Sequence, residues 1–175
     1  MRYRVAGSSD AAAIARVHVT SWRATYRGLV PDGYLAQLSV ASRARTWSAI
    51  LSDHESGSVT FVAEDEAENA VGFASGGPER TGDPIHMGEL YALYVLPEWH
   101  GCGIGRHLVT RIAARLIGDG KTTMVIWVFA DNPARRFYER LGGTPVGAKT
   151  VTLGFKALVE VAYGWENIHS LARPG

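Results

Sequence analysis

Leu90-Tyr91-Ala92-Leu93-Tyr94-Val95-Leu96-Pro97-Glu98-Trp99-His100-Gly101-Cys102-Gly103-Ile104-Gly105-Arg106-His107-Leu108 is the stretch whose reading decides the fold. An apolar strand runs into a loop with glycine at every second position, and an amphipathic helix begins inside that loop. Glycine lets backbone approach a ligand closely because no Cβ intervenes. The first helical turn leaves N–H groups unpaired and carries the positive end of the helix dipole. Strand, glycine loop and helix start together predict a cradle for phosphate or pyrophosphate.

Two common phosphate loops fail on spacing. A dinucleotide fingerprint requires Gly-x-Gly-x-x-Gly, and the third position here holds Arg106 or Leu108, depending on the starting glycine. Lys121 also stands where that fingerprint expects an acid. A Walker loop requires Gly-Lys-Ser/Thr, which Gly105-Arg106-His107 does not supply. The remaining pattern, His100-Gly101-Cys102-Gly103-Ile104-Gly105, resembles the pyrophosphate loop of the GCN5-related N-acetyltransferases, Gln/Arg-x-x-Gly-x-Gly/Ala, and departs from it only at His100. Phe137-Tyr138-Glu139-Arg140-Leu141-Gly142-Gly143 resembles the family's second signature at the expected distance downstream. Val17 to Gly28 is similar to the opening helix of many bacterial members. The resemblance covers nearly the whole chain.

Composition sets the outer bounds. A chain of 175 residues suits one domain, here taken as 1–175, with room for a real core. Hydrophobic content of 46% and charged content of 20% are ordinary for a globular protein. A formal charge of +1 gives no reason to expect nucleic acid as a partner. One cysteine, Cys102, excludes an internal disulfide and fits a reducing compartment. Met1 to Val5 leads into polar residues rather than an apolar run, against a signal peptide. Apolar stretches such as Met124 to Ala130 are too short to span a bilayer. A cytoplasmic protein without a membrane partner is the expectation.

Along the chain, Met1 to Ala6 alternates as a strand, and Ser8-Ser9-Asp10 offers N-caps for a helix through about Tyr26. Short helices are expected over Tyr34 to Leu38 and about Ala41 to Leu51. Val59 to Ala63 and Ala70 to Ser75 read as a hairpin joined by a solvated acidic turn, Glu64 to Asn69. Gly76 to Pro84 is rich in turn formers and reads as a loop, followed by a strand from His86 to Leu96. Apolar residues from Ile104 to Ile117 recur at helical spacing, and Gly118-Asp119-Gly120 stops that helix. Thr122 to Phe129 reads as a buried strand, Pro133 to Leu141 as a helix, and Val146 to Phe155 and Ala157 to Trp165 as two last strands. The class is α/β, with a mixed, largely antiparallel twisted sheet flanked by helices.

Acetyl transfer from a thioester to an amine needs a neutral nucleophile, a donor for the developing oxyanion and a proton for the departing thiolate. The resemblance puts the base of some members 11 positions before the loop's first residue, which is Glu89 here. By alternation Glu89 shares a strand face with Tyr91, Leu93 and Val95; the competing reading is an acid that holds a loop or the acceptor's charge. Tyr138 is the candidate acid, since a phenol with a pKa of about 10 keeps its proton at neutral pH. The same tyrosine also continues an apolar helix stripe, as core tyrosines do. The family asparagine that contacts cofactor falls seven positions before the tyrosine, at Asp131; Asn132, six before it, is taken as the candidate cofactor contact and also suits a helix N-cap.

The resemblance further implies that the backbone of Leu93, Tyr94 and Val95 pairs with the pantetheine arm of acetyl-CoA as an added strand, one N–H serving the thioester carbonyl. It implies that Gly101, Cys102, Gly103, Ile104, Gly105 and Arg106 hold the pyrophosphate, Arg106 either adding charge or lying solvated. Cys102 reads as incidental, and no metal site is expected from Glu98, His100 and Cys102, which lack a fourth ligand at a recognised spacing. Trp22 and Tyr26, four apart on the first helix, read as core first and acceptor pocket second. The reading is an acetyl-CoA-dependent N-acetyltransferase acting on the primary amine of a small molecule or peptide by direct attack. Its rivals are a non-catalytic acyl-CoA-binding module of the same fold and, on weaker grounds, a nucleotide-binding protein. A homodimer is common among proteins resembling this one.

Overall fold

The computed structural model describes residues 1–173. One seven-stranded sheet runs in the order β1-β2-β3-β4-β5-β7-β6, with β1 Arg2–Val5, β2 Val59–Glu64, β3 Ala70–Pro78, β4 Gly88–Val95, β5 Met124–Phe129, β6 Thr144–Leu153 and β7 Lys156–Trp165. Five helices accompany it: α1 Ala11–Thr25, α2 Asp32–Gln37, α3 Val40–Ser52, α4 Ile104–Gly118 and α5 Arg135–Arg140. Every neighbouring pair is antiparallel except β4 with β5. The expected mixed, largely antiparallel α/β sheet is therefore what forms. No helix among the described residues is long and apolar enough to cross a membrane.

The core is built on both sides of β2–β4. The α4 stripe of Ile104, Leu108, Ile112 and Leu116 is buried against one face. On the other face α1 meets α3 and the strands, where His18, Trp47, Phe73 and Tyr94 form an aromatic group. Glycines in the strands permit this close approach. A Cβ on Gly76 would stand 2.8 Å from Ile112 and 2.9 Å from the Glu89 carbonyl, and one on Gly88 would meet Leu116 at 2.8 Å.

Those glycines correct one expectation. Gly76-Gly77-Pro78, read as loop, extends β3 and pairs with Leu90, Glu89 and Gly88. Its glycines serve packing rather than a turn. The strand read from His86 starts two residues later, because Asp83 Oδ1 accepts the N–H groups of Ile85 and His86 and holds them in a loop. Glu64, read into the solvated turn, is instead a buried β2 residue bonded to Arg4, and Asp65 organises the turn through the N–H groups of Ala67 and Asn69. Asp10 precedes α1 but makes no side-chain cap; its carboxylate accepts from Gly7 N–H and pairs with Arg4.

The consequential departure is a β-bulge in β4. Ser75 faces Ala92 and Gly76 faces Leu90, which leaves Tyr91 as an extra residue. A single extra residue reverses the faces of everything beyond it. Glu89 and Tyr91 lie on the α1–α3 side, the side of Gly77, whose absent Cβ leaves room for the Tyr91 hydroxyl. Leu93 and Val95 turn to the α4 side, against Gly105 and Gly72. Simple alternation groups all four together, and the bulge separates them.

Candidate active site

The site begins where two strands part. β4 and β5 are paired in parallel at Gly88 with Met124 and Glu89 with Val125, and the pairing ends there. On its other side β4 stays paired with β3 as far as Val95, and β5 stays paired with β7 along its whole length. The β4 edge over Tyr91–Val95 therefore faces a cleft with backbone groups free to bind an extended ligand.

The glycine loop closes one end of that cleft. Gly101 and Gly103 have φ of +79° and +78°, which L side chains rarely adopt, and a Cβ on either would meet open space or only the His107 ring at 4.0 Å. Conformation, not crowding, requires glycine there. Gly105 is required differently: its Cβ would stand 3.3 Å from Phe137, on the helix that carries Tyr138. Gly103 is the N-cap of α4, and no side chain caps that terminus, so the first-turn N–H groups point outward. Ile104 is buried beneath them, while Cys102 and Arg106 are exposed. His100, the loop's departure from the family pattern, bonds through Nε2 to the Val95 carbonyl at 2.9 Å. It ties the loop to the end of β4.

Tyr138, on α5, is 4% exposed, with Trp165 and Tyr163 beside it. It is accompanied by Tyr94 and Tyr26. Trp22 Nε1–H donates to the Tyr94 hydroxyl at 2.8 Å, and Asn132 Nδ2–H donates to the Tyr26 hydroxyl at 3.0 Å. Burial pushes all three phenols above their ordinary pKa, and the nearby Tyr26 raises Tyr94 and Tyr138 further. Each is a neutral O–H across the working pH range. Asn132 also caps the start of α5, its Oδ1 accepting the Ala134 N–H at 2.9 Å. Both ends of that amide are used within the protein.

Glu89 is 4% exposed and lies at the last paired position before the cleft opens. Arg80 grips it with both ends of the guanidinium, Nη2 to Oε1 at 2.7 Å and Nε to Oε2 at 3.1 Å, and the Arg80 N–H adds a bond to Oε2 at 3.2 Å. The same guanidinium stacks 3.6 Å from the centre of the Tyr91 ring. Burial pushes the Tyr91 phenol up to about 12, against the opposing charge of Arg80.

Next to Tyr91 and Ala92, on the α1–α3 side, a cavity of about 450 Å³ opens, lined among others by His18, Arg43, Trp47, Asp53 and Arg80. Trp47 Nε1–H donates to His18 Nδ1 at 3.1 Å, and the His18 ring stacks on Tyr94 at 4.8 Å. Burial, then the charge of Arg43, lowers the His18 pKa to about 3, so the ring is neutral.

The sequence points to Tyr138, Glu89 and the loop positions but not to Arg80, Arg43 or His18. Arg80 lies inside Gly76 to Pro84, the segment read as a turn-rich loop. His18 sits four before Trp22 on α1, a polar residue within an apolar stripe, which is the available signal. Trp22 and Tyr26 pack with Tyr34 and Phe129 in a second apolar cluster, as core residues do, and Tyr26 also accepts a hydrogen bond from Asn132.

A family model for the acetyltransferase (GNAT) family matches residues 20–143, the span from α1 through the turn after α5. The chain belongs to the GNAT family. A GNAT relative of Bacillus subtilis strain 168, the uncharacterized N-acetyltransferase YuaI, is 36% identical over 168 residues, covering 96% of this chain and 94% of its own. An uncharacterized N-acetyltransferase of Archaeoglobus fulgidus is 33% identical over 79% of this chain and 89% of its own. Solved GNAT structures share the fold. The PaiA N-acetyltransferase of Thermoplasma acidophilum, in complex with coenzyme A, superimposes with a TM-score of 0.70 at 18% identity, over 91% of this chain and 98% of that one. YncA of Salmonella typhimurium, solved with acetyl-CoA, gives 0.70 at 22% identity over 100% and 98%.

Proposed function

We propose that this GNAT-family chain transfers an acetyl group from acetyl-CoA to a primary amine by direct attack, with residues 1–175 as one catalytic domain. The observation that carries the reading is the divergence of β4 from β5 beside an uncapped helix start. An extended arm fits the free edge at Leu93, Tyr94 and Val95, and a pyrophosphate suits the N–H groups and positive dipole over Gly101, Cys102, Gly103, Ile104, Gly105 and Arg106. Acetyl-CoA is the co-substrate this geometry fits.

Tyr138 is the proposed acid. Its phenol keeps its proton because burial favours the neutral form, which supports a role as proton donor to the departing thiolate. Asn132 acts as a positioning residue, fixing Tyr26 beside Tyr138 and starting α5 at the right place. Glu89 carries two readings. As a base it would relay the amine proton through water, and its burial beside the cleft supports that. The Arg80 clamp works the other way, since both carboxylate oxygens already accept from the guanidinium, at 2.7 and 3.1 Å, and leave fewer lone pairs for a relaying water. We favour Glu89 as the residue that holds Arg80 at the cavity wall. The acceptor, a small-molecule or peptide amine, reaches the thioester through the cavity beside Tyr91 and Ala92. A cytoplasmic location, a homodimer and the absence of nucleic-acid or membrane partners complete the proposal.

The test is release of free thiol from acetyl-CoA in the presence of a panel of primary amines. Acceptor-dependent release supports transfer. CoA binding without release for any amine returns the chain to the non-catalytic acyl-CoA-binding reading, for which His100 and the shifted Asn132 leave room.

A further inference from the structure

The charges around the cavity are unevenly paired. Arg80 is neutralised by Glu89 and covered on one face by Tyr91. Asp53, the one carboxylate among the described lining residues, is turned to its own backbone, with Oδ1 accepting the N–H groups of Glu55 and Ser56. His18 is uncharged. Arg43 alone is left: it lines the cavity from α3, is partly buried, and takes part in no ion pair among the described residues. Arg43 is thus the lining cation that no ion pair engages among the described residues, in a space of a size that holds a small molecule.

We propose that Arg43 is a specificity-determining residue for an acceptor that carries a carboxylate together with its amine. The inference rests on the acetyl-transfer reading and names the acceptor class for that same site. A guanidinium offers a planar fork that matches a carboxylate, and in a partly desolvated pocket such a bond is charge-assisted and short. The apolar wall at Trp47 and Ile50 accommodates an aliphatic or aromatic framework. An amine with a carboxylate on the same framework brings its anion to Arg43 and its nitrogen toward Ala92, at the edge where the thioester is proposed to sit. Polycationic acceptors are disfavoured, because Arg43 repels them and Asp53, whose Oδ1 is held by backbone N–H groups, is the one acid among the described lining residues.

The test uses matched acceptors: leucine, leucinamide and isopentylamine, and 4-aminobutyrate with butylamine. Each is assayed for thiol release from acetyl-CoA and, separately, for binding to the CoA-saturated protein by calorimetry. The parent should favour the carboxylate member of at least one set by about tenfold or more in kcat/KM and in affinity, the scale of one charge-assisted contact. Arg43→Gln should collapse that ratio, chiefly through KM, and Arg43→Lys should restore part of it. Arg45→Gln removes the same charge from an exposed position on the same helix and should leave the ratio intact. Indifference to the carboxylate, or equal loss of preference in Arg43→Gln and Arg45→Gln, overturns the assignment. If no amine is acetylated, the transfer reading fails on its own. Calorimetry then still decides here: carboxylates bound by the parent and not by Arg43→Gln keep the subsite, and failure of every probe to bind removes it.

Discussion

Strand β4 has two edges, and they lead different lives. Toward β3 it is paired from Gly88 to Val95, with glycines letting α4 press against the sheet. Toward β5 it is paired at two positions and then open. The first edge fixes the strand in the core; the second is where backbone groups remain for a ligand. On the proposed function, one strand divides stability from function between its two sides. Substitutions at the closed edge should change folding with little effect on chemistry in the surviving folded protein. Those along the open cleft should do the reverse.

The largest effect is expected at the open side. Tyr138→Phe keeps the packing against Tyr163 and Trp165 and removes only the hydroxyl. It should lower kcat by about 10- to 1,000-fold, the scale of general acid catalysis, with near-normal stability and CoA affinity. Because burial raises this phenol above its ordinary value, the protein should hold the proton as pH rises. The parent's kcat should therefore show no alkaline loss from this group between about pH 7 and 10, the upper end being where an ordinary phenol titrates. Unchanged turnover where chemistry limits the rate returns Tyr138 to the core.

At the closed edge, Gly76→Ala drives a methyl group into Ile112 and the Glu89 carbonyl. Overpacking of this kind costs about 1–3 kcal/mol, read as a shifted denaturation midpoint, while CoA affinity of the folded fraction holds. A variant as stable as the parent but unable to bind CoA would erase the distinction between the edges. Gly103→Asp, back at the open side, sets a negative charge at the helix start proposed to hold the pyrophosphate, so CoA affinity should fall on the order of tenfold. Equal affinity moves the cofactor elsewhere.

Smaller effects sharpen the boundary. Glu89→Gln removes the charge that neutralises Arg80. If Glu89 only holds Arg80, the change appears mainly in KM and shows no added loss at low pH. If it is a base, kcat/KM falls most at low pH and recovers as solvent deprotonates the amine. His18 supplies a stability signature for the cavity side. Its folded pKa, about 3, lies below the unfolded value of about 6.5, so the unfolded chain binds the extra proton between them. Stability should fall as pH drops through that window, and less so in His18→Gln.

Much of this division is legible in the sequence itself. The loop from His100 to Gly105 can be read because it is local: alternate glycines at a strand–helix junction suit anion binding at the helix start and little else. Tyr138 follows from a second local signature. The bulge at Tyr91 cannot be read, since alternation carries no mark of one extra residue and the reversal arises from pairing with β3. Gly76 and Gly77 read as turn residues because glycine looks the same whether it supplies a positive φ or clears space for Ile112 and the Tyr91 hydroxyl. Arg80 and Arg43 escape notice because what distinguishes them, a paired charge and an unpaired one, is set by tertiary contacts.

Hydrogen exchange with and without saturating CoA tests the central claim most directly. Amides in residues 91–106, covering the open edge of β4 and the glycine loop, should gain protection on binding, while those of β3 along the closed edge should change little. CoA binding that leaves 91–106 unprotected would contradict the assignment of the open edge to the cofactor.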